Sequence, residues 1–66
     1  MSVAKVIEIN SRSSESFEDA IAVGIAKAGE TVENIEGAWV KEQKVKVENG
    51  GVVAYDVNLK ITFVVD

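Results

Sequence analysis

The sequence predicts an α+β fold, β-α-β-β in order, with a three-stranded antiparallel sheet partly wrapping one helix, as a single domain over residues 1–66. Three observations predict it. A short run rich in β-branched residues opens the chain, and one apolar stripe of helical period follows. The second half then alternates apolar and polar residues on both sides of an Asn-Gly turn signal.

The first strand spans Val3 to Asn10, where Val3, Ala4, Val6, Ile7 and Ile9 are interrupted by Lys5 and Glu8. Ser11-Arg12-Ser13-Ser14 breaks that pattern. A serine here suits a helix N-cap, because its hydroxyl oxygen accepts a bond from an unpaired backbone N–H. Glu15, Glu18 and Asp19 suit the positive end of the helix dipole. In the helix, Phe17, Ala20, Ile21, Gly24, Ile25 and Ala28 share one face. Its small residues let a sheet approach the backbone. Gly29 is the expected stop, with fraying toward Thr31, and Glu33 and Asn34 lead into the next strand.

The remaining chain reads as a long hairpin, Ile35 to Val47 and Val52 to Val65, around Glu48-Asn49-Gly50-Gly51. Asparagine and glycine tolerate the positive φ that tight hairpin turns require. In the last strand, Val53, Tyr55, Val57, Leu59, Ile61, Phe63 and Val65 form one face, the one expected beneath the helix. Ala54, Asp56, Asn58, Lys60, Thr62 and Val64 form the other. A loop of either Asn49-Gly50 or Gly50-Gly51 sets odd positions of one strand opposite even positions of the other. Ala38 and Val40 then join the helix-covered face. Gly37, Trp39, Lys41 and Gln43 join Asp56, Asn58 and Lys60 on the open one. Val45 and Val47 fall on that open face too, with Glu42, Lys44 and Lys46 opposite, an inversion that implies a bulge or a hairpin end reaching past the helix. With the third strand in the middle the whole sheet is antiparallel. Nothing in the chain covers its open face, so other copies are expected to do so.

Composition narrows the function classes. Cysteine, histidine and proline are absent, which removes disulfides, the usual zinc ligands, and thiol or imidazole catalysis. No serine is flanked by a plausible base, so the chain is not expected to be an enzyme. A net charge of −4, with seven scattered basic residues, disfavours nucleic acid. No apolar run approaches the roughly 20 residues of a membrane span, and the N-terminus lacks a signal-peptide pattern, so the default location is the cytoplasm. A domain this small, without disulfide or metal staples, is expected to gain stability by self-association.

The ordered set Val6-Ile7-Glu8-Ile9, Ser13-Ser14-Glu15-Ser16-Phe17 and Ala28-Gly29-Glu30-Thr31-Val32-Glu33-Asn34-Ile35 resembles the dodecin family. Val40-Lys41-Glu42-Gln43 and the closing Tyr55 to Phe63 strand continue the resemblance over nearly the whole chain. The resemblance implies a hollow homododecamer that stores or shields paired flavins (riboflavin or FMN) between subunits. In such proteins a tryptophan of the second strand stacks on the isoalloxazine and a glutamine of the third binds its polar edge. Counted without gaps from Phe17, the stacking position is Gly37 and the glutamine position is Asp56. Trp39 lies two residues on, on the same face but roughly 6 to 7 Å farther along the strand. An ionised aspartate only accepts hydrogen bonds, where glutamine also donates.

The implied flavin contacts are therefore Trp39, Gly37, Asp56, Gln43 and Lys41, with Lys41 and Lys60 suited to a ligand phosphate. Each has a plainer reading. Trp39 as a plug in a subunit interface is weighed ahead of Trp39 as a stacking surface. Gly37 reads first as a bulge or close approach. Asp56, Asn58 and Gln43 present oxygens that could bind calcium around a symmetry axis, or simply form a solvated polar surface. Two expectations result: an assembly that sequesters flavin, or a flavin-free assembly that binds a cation such as calcium or serves as a scaffold.

Overall fold

The structure, a computed structural model, describes residues 3–65; residues 1, 2 and 66 of the expected 1–66 domain lie outside the described residues. Strand β1 (Val3–Ser13) leads to helix α1 (Phe17–Ala28), then β2 (Ile35–Glu48) and β3 (Gly51–Val65). The sheet order is β1-β3-β2 with both pairings antiparallel, as the sequence predicts.

β1 runs three residues beyond its expected end, because Ser11↔Val57, Arg12↔Asp56 and Ser13↔Tyr55 continue the ladder. The serines hid the alternation. Ser13 lies on the buried side, 6% exposed, where its hydroxyl donates to Asp19 Oδ2 at 2.6 Å and accepts the Glu15 N–H at 2.9 Å. A buried hydroxyl satisfied on both sides costs little. Ser16 is the N-cap, extended in backbone, its Oγ accepting the Asp19 N–H at 2.9 Å. At the other end Gly29 keeps right-handed φ (−65°), so it stops the helix without a left-handed turn. The reversal falls at Asn34, φ 61°, whose carbonyl accepts the Val64 N–H at 3.1 Å. Asparagine is among the few side chains that tolerate this region.

Ala20 packs with Val57, Leu59 and Ile61 of β3 to form the buried core, ringed by Ile7, Ile9, Phe17, Ile21 and Ile25. Gly24 sets how closely α1 lies on the sheet: a Cβ there would come within 2.9 Å of Ser11 Cβ and 3.3 Å of Leu59 Cδ1. Phe17 meets Tyr55 edge-on, with ring centroids 5.1 Å apart. The helix thus sits over β1 and β3. Ala38 lies opposite Ile61 on the helix side, as expected, yet it is exposed, because β2 extends beyond the helix edge.

The turn is Asn49-Gly50, at φ 52° and 77°, closed by the Glu48↔Gly51 pair. From there, three register shifts reset the faces of β2. Between Val40↔Leu59 and Glu42↔Asn58 the extra residue is Lys41, and beyond it the alternation inverts. The expected placement of Gln43 on the open face is therefore corrected: it pairs with Val57 on the helix side. The same shift puts Val45 opposite Tyr55 on the helix side, and Lys44 and Lys46 opposite Asp56 and Ala54. The register shifts account for the inversion, and the hairpin end, with Val45, Val47, Val52 and Val53 exposed, also reaches past the helix.

Candidate functional site

The open face is a set of three-residue rows across β1, β3 and β2. Glu8, Lys60 and Trp39 make one row, Asn10, Asn58 and Glu42 the next, and Arg12, Asp56 and Lys44 the third. Period-two alternation in β1 and β3, together with the shifted register of β2, brings these polar side chains together.

Arg12 and Asp56 form a two-pronged ion pair, Nε to Oδ1 at 2.6 Å and Nη2 to Oδ2 at 3.0 Å. This fork matches the planar geometry of both groups. It holds the Asp56 carboxyl below its usual range, the Arg12 hydrogen bond being the main cause, with Lys44 and Lys46 adding to it and burial opposing it. The same bond raises the Arg12 guanidinium above its ordinary value. Asn58 donates its amide N–H groups to Glu8 Oε2 at 3.0 Å and to Asn10 Oδ1 at 2.8 Å. Because the Glu8 carboxylate only accepts, the Asn58 nitrogen must face β1. Its Oδ1 is left buried without a hydrogen-bond partner. A cleft of ≈ 350 Å³ lies here, lined by Asn10, Arg12, Glu42, Lys44, Asp56 and Asn58 among others.

One row away, Trp39 is 60% exposed, and Lys60 Nζ stands 5.4 Å from its ring centroid. That is cation–π range. Gly37, opposite Thr62, has nothing within 4 Å of the position its Cβ would take. The open-face strip beside the indole is therefore clear.

Of the residues singled out from sequence, Trp39, Gly37 and Asp56 share the open face. Lys41 is the unpaired bulge residue between Val40 and Glu42. Gln43 is on the other side. Sequence reasoning missed Arg12, Glu8 and Asn10, which position Asp56 and Asn58 from β1. The signal was available: Glu8, Asn10 and Arg12 extend the polar half of an alternation whose apolar half ends in two serines. Among the described residues no group of three or more carboxylates is placed to hold a metal ion, and no helix is long and apolar enough to cross a membrane.

Comparison with known proteins agrees with this architecture. The Dodecin family model matches residues 3–66. The protein named calcium dodecin of Mycobacterium tuberculosis is 38% identical over 63 residues, 96% of this chain and 89% of that protein. A mutant dodecin of T. thermophilus superposes with a TM-score of 0.94 at 30% identity, covering 100% of this chain and 98% of the other. The crystal structure of the M. tuberculosis calcium dodecin, described as having a novel calcium-binding site, gives 0.82 at 36% identity, over 92% and 87%. With the family model matching residues 3–66 and the superposition running almost end to end, the chain belongs to the dodecin family.

Proposed function

We propose that this chain assembles into a hollow homododecamer that binds and sequesters a flat aromatic ligand, a flavin such as riboflavin or FMN, on the open sheet faces between subunits. The observation that carries the reading is Trp39, an exposed indole beside a glycine with empty space where a side chain would stand. An indole so presented offers a large rigid surface for offset stacking at small entropic cost. Trp39 and Gly37 together suit the ring of such a ligand. Asp56 suits its polar edge less well, since the carboxylate is already held by Arg12. The edge would instead meet the free N–H groups of Arg12 and the amide of Asn58 in the adjacent row, once its partners shift. Lys41, at the bulge, is near enough in sequence to serve a ligand tail, while Gln43 faces the wrong way to join from the same subunit. The chemistry asked of the site is binding and shielding, with no reacting group of the protein.

A second reading is favoured by a separate observation. Asn58 Oδ1 is a buried acceptor with no donor, and Asn10, Glu42 and Asp56 line the same cleft. A calcium ion takes about six to eight oxygens, so several copies of this cluster would have to contribute. The name of the M. tuberculosis relative lends this reading weight.

Riboflavin emission separates the two. Titrating the purified protein into riboflavin is expected to quench its emission strongly, and Trp39→Ala is expected to abolish the effect. Unchanged emission at micromolar protein, together with a melting temperature that rises on adding calcium, would replace the first reading with the second.

A further inference from the structure

Lys60 occupies an unusual position for a lysine. Its register partner on β1 is Glu8, a carboxylate, yet Glu8 receives the Asn58 amide, and among the described residues Lys60 makes no ion pair. The ammonium lies instead against the exposed indole of Trp39, 5.4 Å from the ring centroid. Trp39 is its register partner on β2, so the ladder keeps the ammonium within reach of the ring. The open face thus presents an aromatic surface and an unneutralised cation side by side, with clear space at Gly37.

We propose that Lys60 makes this surface select aromatic ligands carrying an anionic group over uncharged ligands with the same ring. The inference rests on the reading of Trp39 as a stacking surface and assigns its charge preference. Two effects act in the same direction. An uncharged ring that approaches the Lys60 side of the indole must displace the ammonium and forfeit the cation–π contact. A ring bearing a phosphate on a flexible tail, by contrast, returns an anion of charge about −1.5 to −2 to that ammonium. Glu8, bonded to the neutral Asn58 amide, keeps its charge and offsets part of this gain.

The test compares FMN with riboflavin, which share a ring and differ by the phosphate, on the full chain. Wild type is expected to bind FMN about two- to fivefold more tightly, the range for an exposed ion pair. This preference should shrink as salt is raised, because such pairs are screened. Lys60→Met should bring the ratio close to one, by weakening FMN and leaving riboflavin equal or tighter, while Lys60→Arg should keep it. The same ratio in wild type and Lys60→Met would overturn the proposal. Failure of wild type to bind either flavin would overturn the flavin reading, a different result, and the indole itself then decides the role of Lys60. Iodide, an anion, should quench Trp39 emission more in wild type than in Lys60→Met, with acrylamide quenching both alike. Equal iodide quenching in the two proteins would remove the ammonium from the ring and the proposal with it.

Discussion

The β1–β3 half and the β2 hairpin half of this molecule are built to different rules. Beneath α1, side chains interlock: Leu59 and Ile61 are fully buried, Gly24 brings the helix against Ser11, and even the buried Ser13 has its hydrogen bonds met. Along β2 only Ile35 and Val40 reach the core, and Val45, Val47, Val52 and Val53 stay exposed around the hairpin. Length explains the division. A helix of 12 residues covers about 18 Å at 1.5 Å per residue, whereas the molecule is 52 Å long. One helix cannot cover that sheet. The first half has its packed core within one chain, although Val3, Val6, Val23 and Val65 remain exposed. The second ends in apolar side chains that only another surface can cover, as contiguous exposed apolar groups ordinarily require.

The sharpest way to break this comparison is to truncate one residue in each half. Leu59→Ala should cost about 2–5 kcal/mol, the range for deleting a packed leucine and leaving a cavity. That loss should appear in denaturant melts at every protein concentration. Val45→Ala removes methyl groups from an exposed position and should cost under about 0.5 kcal/mol in an isolated subunit. Where copies assemble over β2, its effect should vary with protein concentration, since association stabilises by mass action. Equal, concentration-independent losses in the two variants would show that the halves do not differ as described.

A smaller effect tests how tightly the covered half is packed. Alanine is a better helix former than glycine by about 1 kcal/mol, so Gly24→Ala would stabilise an unencumbered helix. Here the added methyl meets Ser11 Cβ at 2.9 Å, and neither is the end of a flexible chain. Overpacking of this kind costs about 1–3 kcal/mol and should win. A variant that melts higher than wild type would mean that α1 can lift off β1 without loss.

The same division governs what could be read from the sequence. The strands, the helix, the Asn49-Gly50 turn and the sheet order were legible, since they rest on local periodicity and turn chemistry. The face assignment of β3 was legible too, because it runs Tyr55 to Phe63 without interruption. What escaped was β2 beyond Val40. Its alternation of lysine, glutamate and valine looks as regular as any other, and the bulge at Lys41 inverts it with no glycine or proline to mark the place. Gln43 was misplaced for that reason. Arg12 escaped for another reason: serine in a strand reads as a break, although Ser11 and Ser13 lie on the inner side of the ladder. Trp39 and Gly37 needed only the period of a strand, so their shared face was visible. Their relation to Lys60 required the register, which counting from the turn gives for Trp39 only because the shifts between Lys46 and Val47 and between Val40 and Glu42 cancel.

The smallest effect concerns the Arg12–Asp56 pair, where the polar face of the covered half borders β2. Its sign follows from the carboxyl being depressed in the folded chain by the Arg12 hydrogen bond. A group held below its unfolded value, about 3.9 for aspartate, contributes its full stabilisation above that value. The contribution is lost as pH falls through the unfolded value and on through the lower folded one. Asp56→Asn keeps the shape and removes the charge, leaving Arg12 with an amide that holds it less strongly. Wild type should therefore melt above Asp56→Asn near neutral pH, and the two melting curves should approach one another below about pH 4. A constant gap from pH 7 to pH 3 would mean that the difference is one of packing and not of charge. Convergence already at pH 6 would mean that the carboxyl is raised on folding, so that burial, not Arg12, sets its state. The first pattern is expected because Arg12 engages both carboxylate oxygens, and Lys44, the ladder partner of Asp56 on β2, and Lys46 add positive charge.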